Sequence, residues 1–283
     1  MITFWRYKIA PLEALSEDTF KRGYLPPYSF PDVSPMDYVI GADRFNDHIP
    51  NNVDLLCGDP MVELQSNSIT TLANTQVPGT NTWLNVVDWL SDFIENIESE
   101  YDTIFVDANP SFSLYTQIAI SLCDRLVLPV MADDSSRRAL QNAFSLIYGL
   151  RLPSEIYTKH AFATRLKDEG RSLPEVHSVV KNRLTQYMRP ASAYDEVLSS
   201  INQEVDDLVD SNPEMFTFDD IGDGIVEVRD FQTTGVVAFS YGAPFYQLSS
   251  GRFNVEGREV QVKREYLDNC IDAMNNLVSR LDY

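Results

Sequence analysis

Short apolar runs alternate along this chain with longer segments in which apolar residues recur every three or four positions. Four runs have the length and apolar character of strands: Thr103–Val106, Arg125–Val130, Ser178–Lys181 and Ile225–Val228. Four periodic segments have the spacing of amphipathic helices: residues 81–100, 136–150, 191–209 and 259–281. Strands that alternate with helices form βαβ units, so the pattern predicts an α/β fold with a mostly parallel sheet and helices on both faces.

The first 60 residues differ from this pattern. Prolines interrupt any long helix there, so residues 1–60 are predicted to form an irregular, proline-rich segment. Within it, Asn52–Leu56 predicts one short strand, which ends before Gly58.

Composition is typical of a globular protein, with 283 residues and a hydrophobic fraction of 44%. No apolar run reaches the length of a membrane-spanning helix, and the N-terminus lacks the pattern of a signal peptide. The three cysteines, Cys57, Cys123 and Cys270, are widely spaced and odd in number. They predict reduced thiols and a cytoplasmic location rather than a disulfide or zinc framework.

The charge is strongly acidic, with 22 basic and 42 acidic side chains and a net charge of −20. About a dozen acids lie between Asp195 and Asp230, where Arg229 is the only basic residue. Such a surface repels phosphate backbones and disfavours broad nucleic-acid binding, although a local basic patch could still bind DNA. Such a patch is expected in the basic group formed by Arg252, Arg258, Lys263 and Arg264. A second basic group, Lys181, Arg183 and Arg189, lies at the end of the predicted strand Ser178–Lys181.

Two polar residues follow predicted strands at the edge where ligands bind in open α/β sheets. Asp107 follows Thr103–Val106, where a carboxylate can hold Mg²⁺ through water and orient the attacking water of a phosphoryl transfer. The alternative is an Asp that caps the next helix. Asn182 follows Ser178–Lys181, where its amide could bond a nucleotide base or simply form a turn.

The segment from Tyr101 to Leu140 resembles the Walker B and switch region of the ParA/MinD family of deviant-Walker P-loop ATPases. That family shows YD, an apolar strand, D-x-P-P-S, a helix, and a second apolar strand that ends in proline. One departure is Asn109, which replaces the first of the two family prolines. The matching residues are Asp102, Asp107, Pro110, Ser111, Asp124 and Pro129.

The resemblance implies a P-loop NTPase-like fold and an ATPase that acts in plasmid or chromosome partitioning. ATP and Mg²⁺ are the implied cofactors, with Asp107 as the catalytic and magnesium-orienting carboxylate. The implied partners are a second copy in a nucleotide-dependent homodimer, a ParB-like protein and non-specific DNA, the last disfavoured by the net charge. The remaining implied site residues are Asn182 and Arg183 at the base, and Asn109, Pro110 and Ser111 in the switch region.

The family's phosphate-binding loop is not found, because no G-K-[S/T] motif occurs in the 283 residues. The resemblance therefore predicts one ParA-like domain over residues 1–283 that lacks its first strand and P-loop helix. Its Walker B and switch region spans 101–150, and its C-terminal helix spans 259–283.

Three interpretations remain open. The chain is a ParA-like ATPase with a late start or a split gene, a non-catalytic interaction protein that retains the ParA-like fold, or an unrelated α/β enzyme that uses Asp107. We favour the first.

Because the loop that cradles the phosphates is not found, we expect this chain alone to have no measurable affinity for ATP. Isothermal titration calorimetry with MgATP tests this expectation. Binding at micromolar strength would contradict it.

Overall fold

The computed structural model describes residues 35–58, 64–108, 112–184 and 192–281. They form two compact units. The N-terminal unit contains the described residues up to Cys123 together with Arg165–Ser172, and the C-terminal unit contains Asp124–Thr164 and the described residues from Leu173 onwards.

The N-terminal unit begins with two short antiparallel strands, β1 (Val39–Gly41) and β2 (Asp54–Leu56). The strand predicted over Asn52–Leu56 is thus confirmed in its last three residues. Four helices follow: α1 (Ser66–Asn74), α2 (Thr82–Val87), α3 (Trp89–Glu95) and α4 (Leu114–Ser121).

The single helix predicted over residues 81–100 is divided at Asp88. The Asn81 side chain caps α2 by accepting a hydrogen bond from the backbone N–H of Leu84. Asp88 ends α2, and its carboxylate accepts a hydrogen bond from Arg171 at 2.7 Å. The apolar spacing identified the helical region, but this local bonding decides where each helix ends.

Trp83 anchors the apolar core of the N-terminal unit and is 2% exposed. The Arg165 guanidinium lies 3.9 Å from the centroid of the Trp83 ring, which is the geometry of a cation–π contact. Burial lowers the pKa of Arg165. Other buried apolar side chains of this unit are Ile69, Val87, Ile97, Ile118 and Ile120.

The C-terminal unit is built on a parallel sheet of three strands, β3 (Arg125–Val130), β4 (Glu175–Leu184) and β5 (Ile225–Arg229). β4 lies in the middle and pairs with both neighbours. The predicted α/β fold with a parallel sheet is therefore confirmed.

Helices connect the strands as expected for parallel crossovers. Between β3 and β4 lie α5 (Asp134–Tyr148), α6 (Glu155–His160) and α7 (Phe162–Asp168). Between β4 and β5 lie α8 (Ser192–Ser211) and the short α9 (Ile221–Gly224).

After β5 come α10 (Gln232–Tyr241), an antiparallel hairpin of β6 (Gly251–Val255) and β7 (Arg258–Val262), and α11 (Arg264–Leu281). The helix predicted from residue 259 begins at Arg264 instead, because residues 258–262 pair with β6. The alternation of Val260 and Val262 is the period of a strand, whereas Val262, Tyr266 and Cys270 follow helical spacing.

The two faces of the sheet bury different side chains, because successive residues of a strand point to opposite sides. Val180 and Val226 belong to the cluster that packs against Leu277 of α11. On the other face β3 packs against α5, which in turn packs against α8. The largest buried side chains of that layer are Leu126, Leu128, Phe144, Ile147, Ile201 and Val205.

Among the helices in the described ranges, none is long and apolar enough to cross a membrane.

Ile201→Ala should destabilise the C-terminal unit by about 2–5 kcal/mol, because Ile201 is fully buried in α8 and its loss leaves a cavity. Urea denaturation followed by circular dichroism measures the change. Ile156→Ala on α6 is the matched control, since Ile156 is 73% exposed and its loss should change stability little. Equal effects of the two substitutions would contradict the packing described above.

Candidate functional site

The segment that leads to Asp107 lies in the N-terminal unit. Residues 103–108 belong to no strand or helix in the described chain, so the strand predicted over Thr103–Val106 is not observed. Phe105 is 54% exposed, and no described strand pairs with the segment. An apolar run becomes a strand only when its backbone groups find a partner strand, and this one has none among the described residues.

Tyr101 fixes the start of this segment. Its hydroxyl donates a hydrogen bond to Oδ2 of Asp54, which belongs to β2, at 2.8 Å. Burial, together with this bond and the charge of Asp54, raises the pKa of Tyr101 to about 12. The segment before Asp107 is therefore joined to the β1–β2 pair by a phenol that stays protonated at neutral pH.

Asp107 is exposed at the end of this segment, and the next residue, Ala108, is buried. The predicted switch residues Asn109, Pro110 and Ser111 lie outside the described residues. Within the described ranges, no group of three or more His, Cys, Asp or Glu side chains could hold a metal ion. A single carboxylate suits Mg²⁺, which keeps most of its water ligands and takes the rest from phosphate.

The carboxyl end of β3 lies in the C-terminal unit and leads into α5 through a tightly bonded turn. Oδ1 of Asp133 accepts a hydrogen bond from the backbone N–H of Ser136 at 2.6 Å. Oγ of Ser136 accepts one from the backbone N–H of Met131 at 3.1 Å. The polar loop here caps the helix, which is a structural task.

Asn182 lies near the carboxyl end of β4, and its side chain bonds to its own chain. Its Oδ1 accepts the backbone N–H of Arg183 at 2.8 Å. Arg183 has a φ of 56°, and the pairing register between β4 and β5 shifts between Lys181 and Leu184. The Asn182 side-chain oxygen is therefore already hydrogen-bonded. To bind a nucleotide base through both its oxygen and its NH₂ group, Asn182 would have to replace the bond from the Arg183 N–H by a bond from the base.

Lys181, the residue before Asn182, is buried in the sheet. Its Nζ lies 3.6 Å from a carboxylate oxygen of Glu227 on β5. A buried ammonium requires such a partner, so Lys181 is engaged inside the sheet rather than offered at the surface.

A cleft of about 220 Å³ opens beside the carboxyl ends of β4 and β5. It is lined by one acidic residue, Asp230, and two basic residues, Arg229 and Lys263. Two aromatic residues, Phe231 and Tyr266, also line it. The remaining lining residues are Leu184, Gln232, Thr233, Thr234, Gln261, Asn269 and Cys270.

The position of this cleft is the one at which open parallel sheets bind ligands. The sequence offered one signal for it, the polar step Arg229–Asp230 directly after a predicted strand. The contributions of β7 and α11 come from distant parts of the chain, so no local motif could have revealed them.

Three of the seven residues in the two basic groups are paired with a carboxylate or buried. Arg252 pairs with Glu259 at 3.0 Å, and Arg264 pairs with Asp268 at 2.9 Å. Lys181 is buried, and Arg189 lies outside the described residues. These contacts give no support to a basic DNA-binding patch.

Arg137 and Arg138, at the start of α5, are also paired. Both contact Asp134 at 2.8 Å. The Arg137 hydrogen bond is the main cause that lowers the pKa of Asp134. Exposed pairs of this kind contribute little to stability.

Residues 46–154 match the family model described as an AAA domain. The match includes Asp107 and confirms the predicted resemblance to the ParA/MinD-like P-loop ATPases.

Two solved structures of McdA from Cyanothece share the fold. Apo McdA has 11% sequence identity and a TM-score of 0.54, and the alignment covers 88% of this chain and 74% of McdA. A McdA variant in complex with ATP has 10% identity and a TM-score of 0.52, with 87% and 72% covered. No curated protein matches the chain.

Cys270 should be almost inert towards alkylation, because burial raises the pKa of its thiol to about 11. At pH 8 its reaction with iodoacetamide should be on the order of a hundredfold slower than that of the urea-unfolded chain. Thr234→Val should slow it further, because the Thr234 hydrogen bond lowers this pKa. Mass spectrometry measures the modification, and equal rates in the folded and unfolded chains would contradict the burial of this thiol.

Proposed function

We propose that this protein is a ParA-like ATPase that acts in plasmid or chromosome partitioning, with ATP and Mg²⁺ as its cofactors. The observation that carries the proposal is the AAA-domain match over residues 46–154, which includes Asp107. The fold shared with McdA adds support, since a variant of that protein was solved with ATP.

In this proposal Asp107 is the catalytic carboxylate. It orients the water shell of Mg²⁺ and the water that attacks the terminal phosphate. Its exposure at the end of residues 103–108 leaves room for a hydrated ion. Asn109, Pro110 and Ser111, directly after it, form the segment that responds to the phosphate.

Asn182 and Arg183 are the residues that contact the nucleotide base in this proposal. The cleft beside β4 and β5 is close to these residues in the chain, since Leu184 lines it. Binding of the base would exchange the bond between Asn182 and the Arg183 N–H for a bond to the ligand.

The 283 residues contain no G-K-[S/T] motif, which is the part of the phosphate-binding loop that holds the nucleotide. ATP hydrolysis in this proposal requires a loop that cradles the phosphates, which these residues do not supply. With that loop present, the protein forms a nucleotide-dependent homodimer in the cytoplasm and is stimulated by a ParB-like partner. The net charge of −20 disfavours non-specific DNA binding by this chain.

A second candidate is a non-catalytic interaction protein that retains the ParA-like fold. The missing motif favours it, and so does the bond that engages the Asn182 oxygen. The ATPase requires the Asp107 carboxylate for its activity in the cell, whereas the non-catalytic interaction protein does not.

Asp107→Ala, introduced at the native locus, should abolish ATP hydrolysis. The plasmid or chromosome that carries the gene should then be lost as often as in a strain from which the gene is deleted. Plate counts over generations without selection measure this loss. Glu98→Ala is the control, since it removes a nearby exposed carboxylate outside the site and should leave inheritance unchanged.

Normal inheritance with Asp107→Ala, together with loss in the deletion strain, would favour the non-catalytic candidate. Normal inheritance in the deletion strain would exclude the partitioning role.

A further inference from the structure

The cleft beside the carboxyl ends of β4 and β5 is lined by two cations that have no carboxylate partner. Arg229 is the last residue of β5, and Lys263 directly follows β7. Both are exposed, and in the part of the chain that the structure describes neither forms an ion pair. Acidic residues outnumber basic ones by 42 to 22 in this chain, so carboxylates to neutralise these cations are abundant, yet none does so here.

Asp230, the acidic residue of the same lining, has a structural task. Its Oδ1 accepts a hydrogen bond from the backbone N–H of Gln232 at 3.0 Å, and Gln232 has a left-handed φ of 44°. The carboxylate therefore fixes the turn that begins α10, as Asp often does in turns. With Asp230 included, the lining still carries one more positive than negative charge.

Two aromatic rings of the lining are held in place. Nζ of Lys263 lies 5.7 Å from the centroid of the Tyr266 ring, which is the geometry of a cation–π contact. Phe231 packs edge-on against Phe245, with 4.7 Å between the ring centroids. A ligand in the cleft would thus meet aromatic surface as well as positive charge.

The size of the cleft limits the ligand. Its volume of about 220 Å³ is smaller than the roughly 300–1,000 Å³ of sites that hold drug-sized ligands. Two lining residues, Thr234 and Cys270, are only 3% and 5% exposed, so the cleft has depth and is not a flat surface. It therefore suits a small metabolite.

We propose that this cleft binds a small organic phosphate monoester with an aromatic group. A phosphate monoester is close to a dianion at neutral pH and has three acceptor oxygens, so one such group can bind Arg229 and Lys263 together. The planar guanidinium of Arg229 can bond two of these oxygens at once. The aromatic group would contact Tyr266 and Phe231. The site goes beyond the proposed ATPase, whose carboxylate, Asp107, belongs to the N-terminal unit.

Phosphorus and proton NMR titrations of the 283-residue chain test the proposal, at constant ionic strength and without nucleotide. We expect phenyl phosphate to bind with a Kd on the order of 1 mM. Methyl phosphate has the same charge but no ring and should bind about fivefold more weakly. Benzoate has the ring but only one negative charge and should bind about tenfold more weakly.

Arg229→Ala and Lys263→Ala should each weaken the binding of phenyl phosphate about tenfold, because each removes one charge-assisted hydrogen bond. Both residues are exposed, so the circular dichroism spectrum should not change. Arg258→Ala is the matched control, since it removes the same charge at an exposed position of β7 outside the cleft lining. It should leave the Kd unchanged.

The absence of saturable binding at about 10 mM phenyl phosphate would overturn the proposal. So would an equal loss with Arg258→Ala, because the effect would then come from the charge of the whole chain. Benzoate that binds as tightly as phenyl phosphate would contradict the assignment to a phosphate monoester, and an equal affinity for methyl phosphate would contradict the aromatic group. None of these results bears on the partitioning role, which is tested by inheritance with Asp107→Ala.

Discussion

The pairing of strand β4 on both of its edges is the constraint on which the C-terminal unit depends. β3 and β5 do not touch each other, and each is held in the sheet by its bonds to β4. Val176 and Val179 of β4 are fully buried, so apolar packing reinforces the same strand. The polar ends of β4 and β5, and the cleft beside them, have their positions because β4 fixes the register of its neighbours.

One irregularity in β4 connects the sheet to other elements. The register between β3 and β4 shifts at His177, which therefore pairs with no residue of β3. The His177 Nε2 lies 2.8 Å from the carbonyl oxygen of Arg280 at the end of α11, and Nδ1 lies 2.7 Å from Oγ1 of Thr217. Because a carbonyl only accepts, Nε2 carries the proton. This register shift is a β-bulge, and it directs the His177 side chain towards the end of α11, where the ring bonds to the helix. Bulges often redirect a side chain in this way.

The candidate site combines one motif that could be found in the sequence with features that could not. Asp107 was identifiable because the spacing of the ParA/MinD pattern extends over about forty residues around it. The engaged oxygen of Asn182 could not be foreseen, since it depends on the left-handed backbone at Arg183. The same holds for the cleft, because its lining residues Lys263 and Tyr266 are joined to the ends of β4 and β5 only by folding.

The amino-acid sequence was sufficient to predict the α/β fold class, the strands Arg125–Val130 and Ile225–Val228, and the regions that form amphipathic helices. These follow from local periodicity, which is set by the geometry of a single helix or strand. Tertiary structure alone decided that Thr103–Val106 forms no strand, that residues 258–262 join a hairpin instead of α11, and that Phe239 remains uncovered. The physical reason is the same in each case: a backbone hydrogen bond or an apolar contact needs a partner, and a local pattern does not specify which distant residue supplies it.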